Sequence, residues 1–282
     1  MADKANLDGR VAIITGGSGG IGAALARAFA AHGMRVVIAD VAADEAARLA
    51  AELGAERALA LPTDVADPES CVASVARAVE RFGTIHVLVN NAGLGLGAIR
   101  RDHFTHGVRI EDITPEAWRR MVAVNLGGAF LMARAAVPIF RAQRWGRIIN
   151  VTTSFFTMLR PGCAPYGPAK AGLEAWSAGL AGELKESGIT VNVVVPGGPT
   201  DTPMVPAESG LDRSLLIRPE RMAPPMLYLC SDAGAALSGR RFVAGEWDPA
   251  LPDTEAAARS GAPIGWPELA QNPIWPGGKP AA

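Results

Sequence analysis

Short apolar runs rich in β-branched residues recur along the chain, and each is followed by a segment whose apolar positions have helical spacing. Continuous apolar runs of this length are typical of strands buried on both faces of a parallel sheet. The pattern predicts these strands, in chain order: Val11–Ile14, Arg35–Ala39, Leu59–Val65, Ile85–Val89, Arg147–Val151 and Thr190–Val195.

Helical segments lie between the predicted strands. One opens after a glycine-rich turn and continues through Ala23–Ala30, and another spans residues 68–82. Thr114, with proline at the next position, is typical of the N-cap of a helix that runs past Asn125, and a later helix carries Tyr166. Repeated strand and helix alternation with right-handed crossovers predicts an α/β fold, a Rossmann-type doubly wound parallel sheet with three α/β/α layers in a single domain.

Composition and charge narrow the classes of partner. The 282 residues are 49% hydrophobic, which is enough for one large core, and the 27 basic and 28 acidic residues are interspersed. We therefore expect no nucleic-acid partner and no membrane partner. The N-terminus is polar, and no apolar run reaches the roughly 18 residues that span a bilayer, so we expect a cytoplasmic protein.

The cysteines and histidines give no metal-site pattern. Cys71, Cys163 and Cys230 form an odd set without metal-ligand spacing, which suits a reducing compartment, and each is expected to fill the core. His103 and His106 lie in an arginine-rich segment without acidic or cysteine ligands at suitable spacing, which is typical of a solvated loop. We expect no metal.

A glycine-rich run, Thr15 to Gly22, joins the first strand to the first helix. Glycines at 16, 20 and 22 let the backbone turn sharply and approach a pyrophosphate, whose charge the helix N-terminus favours. The second strand ends at Asp40, about 20 residues further on, where a carboxylate accepts hydrogen bonds from a ribose diol and repels a 2′-phosphate. The neighbours Gly19 and Val41 are not basic, so the sequence predicts NAD rather than NADP as the cofactor.

Tyr166 and Lys170 lie four residues apart, on one face of a predicted helix and about 150 residues after the glycine run. Oxidation of a secondary alcohol needs a base for the hydroxyl proton, and the reverse reaction needs an acid for the carbonyl oxygen. A tyrosine has an ordinary pKa of about 10, and we expect the nearby lysine ammonium to lower it toward the working pH. The pair predicts acid/base chemistry coupled to hydride transfer.

Further motifs follow in a fixed order. Asp64-Val65 comes after the third strand, Asn90 to Gly93 after the fourth, Asn125 within Val124-Asn125-Leu126, and Pro196-Gly197 with Thr202 after the sixth. In this series, over roughly residues 8 to 247, the chain resembles the short-chain dehydrogenase/reductase family.

The resemblance implies site residues. Those implied to surround the dinucleotide are Gly16, Ser18, Gly20, Ile21, Gly22, Asp40, Asp64, Val65, Asn91, Gly93, Tyr166, Lys170, Pro196, Gly197 and Thr202. Of these, the first five would meet the pyrophosphate and Asp40 the adenosine ribose. Asp64 and Val65 would flank the adenine, and Thr202 the nicotinamide amide or a phosphate. Residues 196–202 carry one extra glycine relative to the family pattern, which leaves open which backbone amide meets the nicotinamide.

The remaining catalytic residues are also implied by the resemblance. The family serine that holds the substrate oxygen corresponds here to Thr153, counted back from Tyr166, with Ser154 as the alternative if the loop is one residue shorter. Asn125 resembles the family asparagine that bends its helix and holds a water linked to the lysine; an ordinary buried helix asparagine is the alternative. The expected catalytic set is Tyr166, Lys170, Thr153 and Asn125.

Substrate selection is predicted to reside in three places: the segment 94–113, a mobile lid at 203–217, and the residues around Phe155, Phe156 and Met158. This mainly apolar lining favours a hydrophobic or ring-bearing alcohol or ketone as the small-molecule partner.

The C-terminal part, residues 248–282, is rich in proline and contains Trp266 and Trp275. Proline at this density prevents long helices, whereas tryptophan is unusual in disordered tails. We therefore divide the chain into a catalytic domain, residues 1–247, and an extension, residues 248–282, that packs on that domain or on a neighbouring subunit.

The sequence therefore predicts an NAD(H)-dependent oxidoreductase acting on a secondary alcohol or ketone, assembled as a homo-oligomer, a tetramer or a dimer, as the family usually is. A 3-oxoacyl thioester reductase and a non-catalytic dinucleotide-binding scaffold are the alternatives. The intact Tyr166/Lys170 pair argues against the scaffold.

Overall fold

One eight-stranded sheet organises the computed structural model, which describes residues 7–270. The strands are β1 (Val11–Thr15), β2 (Arg35–Asp40), β3 (Ala58–Pro62), β4 (Val87–Asn90), β5 (Gly146–Val151), β6 (Ile189–Val195), β7 (Arg240–Val243) and β8 (Gly261–Pro263). Their order across the sheet is β3-β2-β1-β4-β5-β6-β7-β8. The first seven are parallel, and β8 pairs with β7 antiparallel.

Helices cover both faces of this sheet. They are α1 (Gly20–Ala31), α2 (Ala43–Leu53), α3 (Pro68–Phe82), α4 (Pro115–Val122), α5 (Gly128–Gln143), α6 (Phe155–Leu159), α7 (Tyr166–Glu183), α8 (Ala223–Cys230) and α9 (Asp253–Ser260). On one face Phe29 and Met226 pack with Ile14, and on the other Phe140 and Met132 pack with neighbours of the same sheet. The predicted three-layer α/β/α fold is confirmed.

The apolar runs predict the strands well because the strands are buried on both faces. Every residue of β1 and β6 is buried. Each fully buried valine or isoleucine contributes about 1.5–3 kcal/mol relative to exposure, so strands without alternation are stable only in the middle of such a sandwich. The structure adds β7 and β8, which the pattern does not predict: β7 opens with two arginines, and β8 has three residues.

A long helical segment, Pro115–Gln143, crosses one face of the sheet and contains a π-helical turn, Ala123–Gly127, between α4 and α5. By length and mean hydropathy it could span a bilayer, although charged residues interrupt it before any apolar run reaches about 18 residues. Core helices pass the same test, and Met132, Ala136 and Phe140 of this segment lie in the core beside the sheet.

After residue 247 the chain returns to the sheet. Helix α9 packs near β7 and β8, and β8 adds an antiparallel edge strand with Arg241 opposite Ala262. The ring of Trp266 lies 5.3 Å from that of Phe155. Trp275, with Pro273, Pro276 and Pro280, lies outside the described residues.

Candidate active site

A cavity of about 850 Å³ lies at the carboxyl edge of the sheet. It is lined by residues that follow each strand from β1 to β6, and β1 and β4, whose crossovers run in opposite directions, meet at its centre. Doubly wound sheets bind ligands at such a switch point, and the volume lies in the range of cofactor and substrate sites.

The glycine-rich turn forms one end of the cavity. Gly16 has a φ of 60°, and a Cβ there would come within 2.8 Å of the Ala92 Cα. A Cβ on Gly22 would overlap the carbonyl oxygen of Gly16, so the first turn of α1 packs against the glycine loop only if position 22 has no side chain. The turn thereby presents Ser18, Gly20 and the N-terminus of α1 to the cavity.

Asn91 holds this turn in place. Its side-chain amide donates hydrogen bonds of 3.0 Å to the carbonyl oxygens of Thr15 and Gly16, and its backbone N–H donates to the Thr15 hydroxyl. The helix N-terminus and exposed loop amides favour a diphosphate. The residues of this end therefore fit a dinucleotide.

Asp40 lies at the end of β2 and lines the same end of the cavity. Its Oδ2 accepts hydrogen bonds from the backbone N–H and the hydroxyl of Ser18, at 3.0 and 2.7 Å, and its Oδ1 accepts one from the Ala42 N–H at 3.1 Å. A carboxylate offers about four acceptor positions, so acceptor capacity remains for a ribose hydroxyl.

Other residues implied for the dinucleotide also line the cavity: Ile21, Asp64, Val65, Gly93, Pro196, Gly197 and Thr202. Asp64 is held by its own loop, since its Oδ1 accepts from the Ala66 N–H at 2.9 Å. Thr202 is buried and lies against Gly20, where a Cβ would come 3.0 Å from the Thr202 methyl group. The segment after β6 therefore closes over the glycine turn.

Tyr166, Thr153 and Lys170 line the same cavity. Tyr166 is the first residue of α7, and Thr153, which lines the same cavity, is close enough to the phenol to lower its pKa. One turn later, Lys170 is 3% exposed, and its Nζ donates a 2.8 Å hydrogen bond to the carbonyl oxygen of Val151, at the end of β5. The end of β5 and the start of α7 thus bring together a phenol, a hydroxyl and an ammonium group.

Burial dominates the ionisation of both groups on α7. It raises the pKa of Tyr166 to about 12, against the opposing effect of the nearby Thr153 side chain. It lowers the pKa of Lys170 to about 8. The expected lowering of the tyrosine pKa by lysine is therefore not produced by the protein alone, because the ammonium group donates to Val151 and desolvation disfavours the phenolate.

Asn125 lies behind the cavity wall, within the π-helical turn. Its Nδ2 donates to the carbonyl oxygens of Met121 and Leu94, both at 3.1 Å, which explains how a side chain interrupts the regular helix ladder. Its Oδ1 is buried without a partner. A Cβ placed on Gly93 would lie 2.6 Å from that oxygen and 3.6 Å from the Lys170 Nζ, so the three groups are close neighbours.

Some predicted residues do not reach the main cavity. Gly22 packs beneath Gly16 instead, and Asn125 lines a separate small cavity behind the site. Of the three residues predicted to select the substrate after β5, Phe156 lines the main cavity, whereas Phe155 faces Trp266 and Met158 is buried.

Ser154 and Thr153 have different roles in the fold. The Ser154 hydroxyl caps α6 by accepting from the Thr157 N–H at 3.1 Å and sharing a hydrogen bond with the Thr157 hydroxyl. The structure therefore brings Thr153, the first of the two sequence candidates, against Tyr166.

Apolar side chains predominate at the substrate end of the cavity. These are Leu96, Phe104, Phe156, Met204 and Val205, together with the polar His103 and Arg160. Cys163 also lines it, and burial raises the pKa of its thiol, which disfavours the reactive thiolate. His103 bonds the Arg100 carbonyl within its own loop, and across residues 7–270 no cluster of three acidic, histidine or cysteine side chains suits a metal.

The sequence reasoning missed a buried ion pair beside this site. Glu174 is fully buried, and its Oε2 lies 2.9 Å from Nη1 of Arg241, the second residue of β7. The spacing of Tyr166, Lys170 and Glu174, at intervals of four, could have indicated it. This spacing places a third ionisable group on the same face of α7 as Tyr166 and Lys170.

Comparison with known sequences agrees with this geometry. A sequence profile described as short chain dehydrogenase matches residues 10–210. Trans-4-hydroxycyclohexanecarboxylate dehydrogenase of Sinomonas cyclohexanicum is 38% identical, over 83% of this chain and 90% of its own length. A 3-oxoacyl-[acyl-carrier-protein] reductase of Synechocystis sp. (strain ATCC 27184 / PCC 6803 / Kazusa) is 37% identical, over 84% and 95%.

Comparison of structures gives the same answer. The crystal structure of 3-ketoacyl-(acyl-carrier-protein) reductase from Brucella melitensis, complexed with NADH, has a TM-score of 0.73 and 31% sequence identity, and the alignment covers 82% of this chain and 95% of that one. With the profile match over most of the sheet, these relatives establish that the chain belongs to the short-chain dehydrogenase family of oxidoreductases.

Proposed function

We propose that the protein is an NAD(H)-dependent dehydrogenase that interconverts a secondary alcohol and the corresponding ketone. The observation that carries the proposal is the meeting of Tyr166, Thr153 and Lys170 in a cavity whose other end fits a dinucleotide. A nicotinamide dinucleotide held by the glycine turn and Asp40 would supply hydride-transfer chemistry at the carbon of the alcohol or ketone.

Tyr166 is the proposed acid and base. With a pKa of about 12 its phenol is protonated at neutral pH and can donate its proton to a ketone oxygen as hydride reaches the carbon. In the reverse direction the phenolate form of Tyr166 would take the hydroxyl proton as the C–H bond breaks and hydride leaves the carbon. Lys170, one turn away and charged below a pH of about 8, would then stabilise the phenolate.

Thr153 and Asn125 have supporting roles in this proposal. The Thr153 hydroxyl, on the same cavity wall as the Tyr166 phenol, would hydrogen-bond the substrate oxygen and place it within reach of the proton. Asn125 would support proton relay through the buried space near Lys170, where its Oδ1 lacks a partner.

Asp40 supports NAD over NADP. Its carboxylate is fixed at the ribose end of the cavity by Ser18 and Ala42, so a 2′-phosphate would meet a negative charge there. A structural relative is complexed with NADH, which agrees with this choice.

A hydrophobic or ring-bearing substrate fits the apolar end of the cavity best. One relative is named for a hydroxycyclohexanecarboxylate substrate, which supports the proposal of a ring-bearing substrate. The second candidate function is reduction of a 3-oxoacyl thioester, which is favoured by relatives named as reductases of acyl-carrier-protein substrates and by Arg120 and Arg160 on the cavity wall.

The proposal includes a homo-oligomer, a tetramer or a dimer, in the cytoplasm, which rests on membership of the family. Size-exclusion chromatography with light scattering would measure the assembly.

The test of substrate class is steady-state oxidation of secondary alcohols with NAD and reduction of ketones with NADH, followed by nicotinamide absorbance. Cyclic and open-chain ketones are compared with a 3-oxoacyl thioester. Higher kcat/KM for the cyclic ketones supports the proposal, higher kcat/KM for the thioester supports the second candidate, and no turnover despite NADH binding supports a non-catalytic dinucleotide-binding scaffold.

A further inference from the structure

A buried charged network lies directly behind the loop that carries Thr153. Arg241 is 5% exposed and Glu174 is fully buried, and their closest atoms are 2.9 Å apart. The second guanidinium nitrogen, Nη2, donates a 2.9 Å hydrogen bond to the carbonyl oxygen of Thr153. The Thr152 hydroxyl donates to the Glu174 Oε2 at 2.7 Å. The pair therefore fixes two consecutive residues of the loop.

The C-terminal segment, residues 261–270, completes this network. The Gly265 N–H donates to the other carboxylate oxygen of Glu174, at 3.3 Å. The ring of Trp266 lies against the ring of Phe155, and the Arg241 guanidinium lies 4.1 Å from the centre of the Phe155 ring. Arg241 and this segment are also joined through the pairing of β7 with β8.

Stability alone does not explain an ion pair at this position. The desolvation of two charges offsets much of their attraction, and apolar residues of similar size often stabilise a core as well. Arginine is suited to the geometry here, because its planar fork donates in two fixed directions at once, toward Glu174 and toward Thr153. The arrangement determines the orientation of the peptide that follows Thr153.

Both Arg241 and the C-terminal segment lie beyond residue 210, where the family profile match ends. We propose that Arg241, held by Glu174 and by the C-terminal segment, is a positioning residue that orients Thr153 toward Tyr166. The inference rests on the proposed function and extends it, because it assigns to the C-terminal segment an influence on turnover. Misplacement of a substrate-orienting group by about 1 Å can cost about 100-fold in rate.

Two substitutions test this arrangement at different points. Arg241→Lys keeps the charge but removes the fork, and Trp266→Ala removes the ring packed on Phe155 at the surface end. We expect kcat to fall about tenfold or more in each, with the Kd for NADH unchanged, because the glycine turn and Asp40 are not touched. Trp266→Phe keeps a ring and should restore kcat.

Trp145→Ala is the matched control. Trp145 also packs on an arginine, with the Arg147 guanidinium 4.1 Å from its ring, but it precedes β5, at the edge of the sheet opposite the cavity. Its loss should lower thermal stability while kcat stays at the parent value, which separates a general loss of stability from a loss of positioning.

Hydrogen exchange supplies a readout that needs no substrate. The backbone amides of residues 153–158 should exchange faster in Trp266→Ala than in the parent or in Trp145→Ala. If the parent turns over no substrate, the proposed function fails, and the exchange rates alone decide whether the segment orders this loop. Unchanged exchange, or faster exchange with a parental kcat in an active enzyme, would overturn the positioning role.

Discussion

Ser18 donates two hydrogen bonds to one carboxylate oxygen of Asp40, from its backbone N–H at 3.0 Å and from its hydroxyl at 2.7 Å. The glycine turn after β1 and the end of β2 are therefore joined at the point where the adenosine ribose is proposed to bind. A carboxylate that is fixed on one side and open to the cavity on the other favours a ribose diol over a phosphorylated ribose.

Asp40→Ala should reduce kcat/KM for NAD by about tenfold to 100-fold, in line with about 1.5–3 kcal/mol for hydrogen bonds to a charged group. The ratio of NADP to NAD activity should rise. Adding Val41→Arg should raise the ratio further, because Val41 is exposed beside the same site and an arginine there can pair with a 2′-phosphate. Steady-state kinetics with both nucleotides measures the ratio.

The control for charge is Asp44→Ala, on the exposed first turn of α2. It removes one negative charge close by in sequence and should leave the nucleotide ratio unchanged. An Asp40→Ala enzyme with the parental ratio would contradict the assignment of Asp40.

Thr153→Val replaces a hydroxyl by a methyl group of similar size and should lower kcat by about 100-fold to 1000-fold, as for other lost donors to a reacting oxygen. Ser154→Ala should instead cost about 1 kcal/mol of stability through loss of the α6 N-cap and leave kcat close to the parental value. Kinetics and denaturant unfolding of both variants distinguish the two hydroxyls. The reverse pattern of effects would assign the substrate contact to Ser154.

Lys170→Met should make the nucleotide-free protein more stable at neutral pH, although it should abolish activity. The folded state lowers the pKa of Lys170 from 10.5 to about 8, which costs about 3 kcal/mol below that pH. Loss of the hydrogen bond to Val151 should destabilise the variant by about 1 kcal/mol. The free energy of unfolding of Lys170→Met should therefore exceed that of the parent by about 2 kcal/mol.

The pH dependence of this gain has a defined sign. Between a pH of about 8 and 10.5 the folded parent binds fewer protons at Lys170 than the unfolded chain, so parental stability rises with pH and the gap to Lys170→Met narrows. Urea unfolding of both proteins across this range measures the gap. A variant less stable than the parent at neutral pH would refute the account of Lys170.

The sequence predicts the central strands and the position of the site because both depend on local patterns. Apolar runs identify strands that are buried on both faces, and the motifs occur where those strands end. Strand β7 is missed because Arg240 and Arg241 interrupt its apolar pattern, and the partner of Arg241, Glu174, is 67 residues away in the chain. Contacts of that kind depend on tertiary packing, which a single sequence does not show.

Ionisation is the other feature beyond reach of the sequence. The spacing of Tyr166 and Lys170 correctly places them on one helix face, but it does not show that Lys170 is buried and Tyr166 half-buried. Desolvation is the largest effect on the pKa of Tyr166 and moves it in the direction opposite to the prediction.

The most direct measurement is the turnover of Tyr166→Phe with NAD and the best alcohol from the panel, alongside the Kd for NADH. The substitution removes only the phenolic oxygen, so NADH binding should be retained while kcat falls by at least about 100-fold to 10,000-fold, the usual contribution of a proton-transfer group. Undiminished turnover in a variant that binds NADH normally would contradict the proposal that Tyr166 transfers the proton.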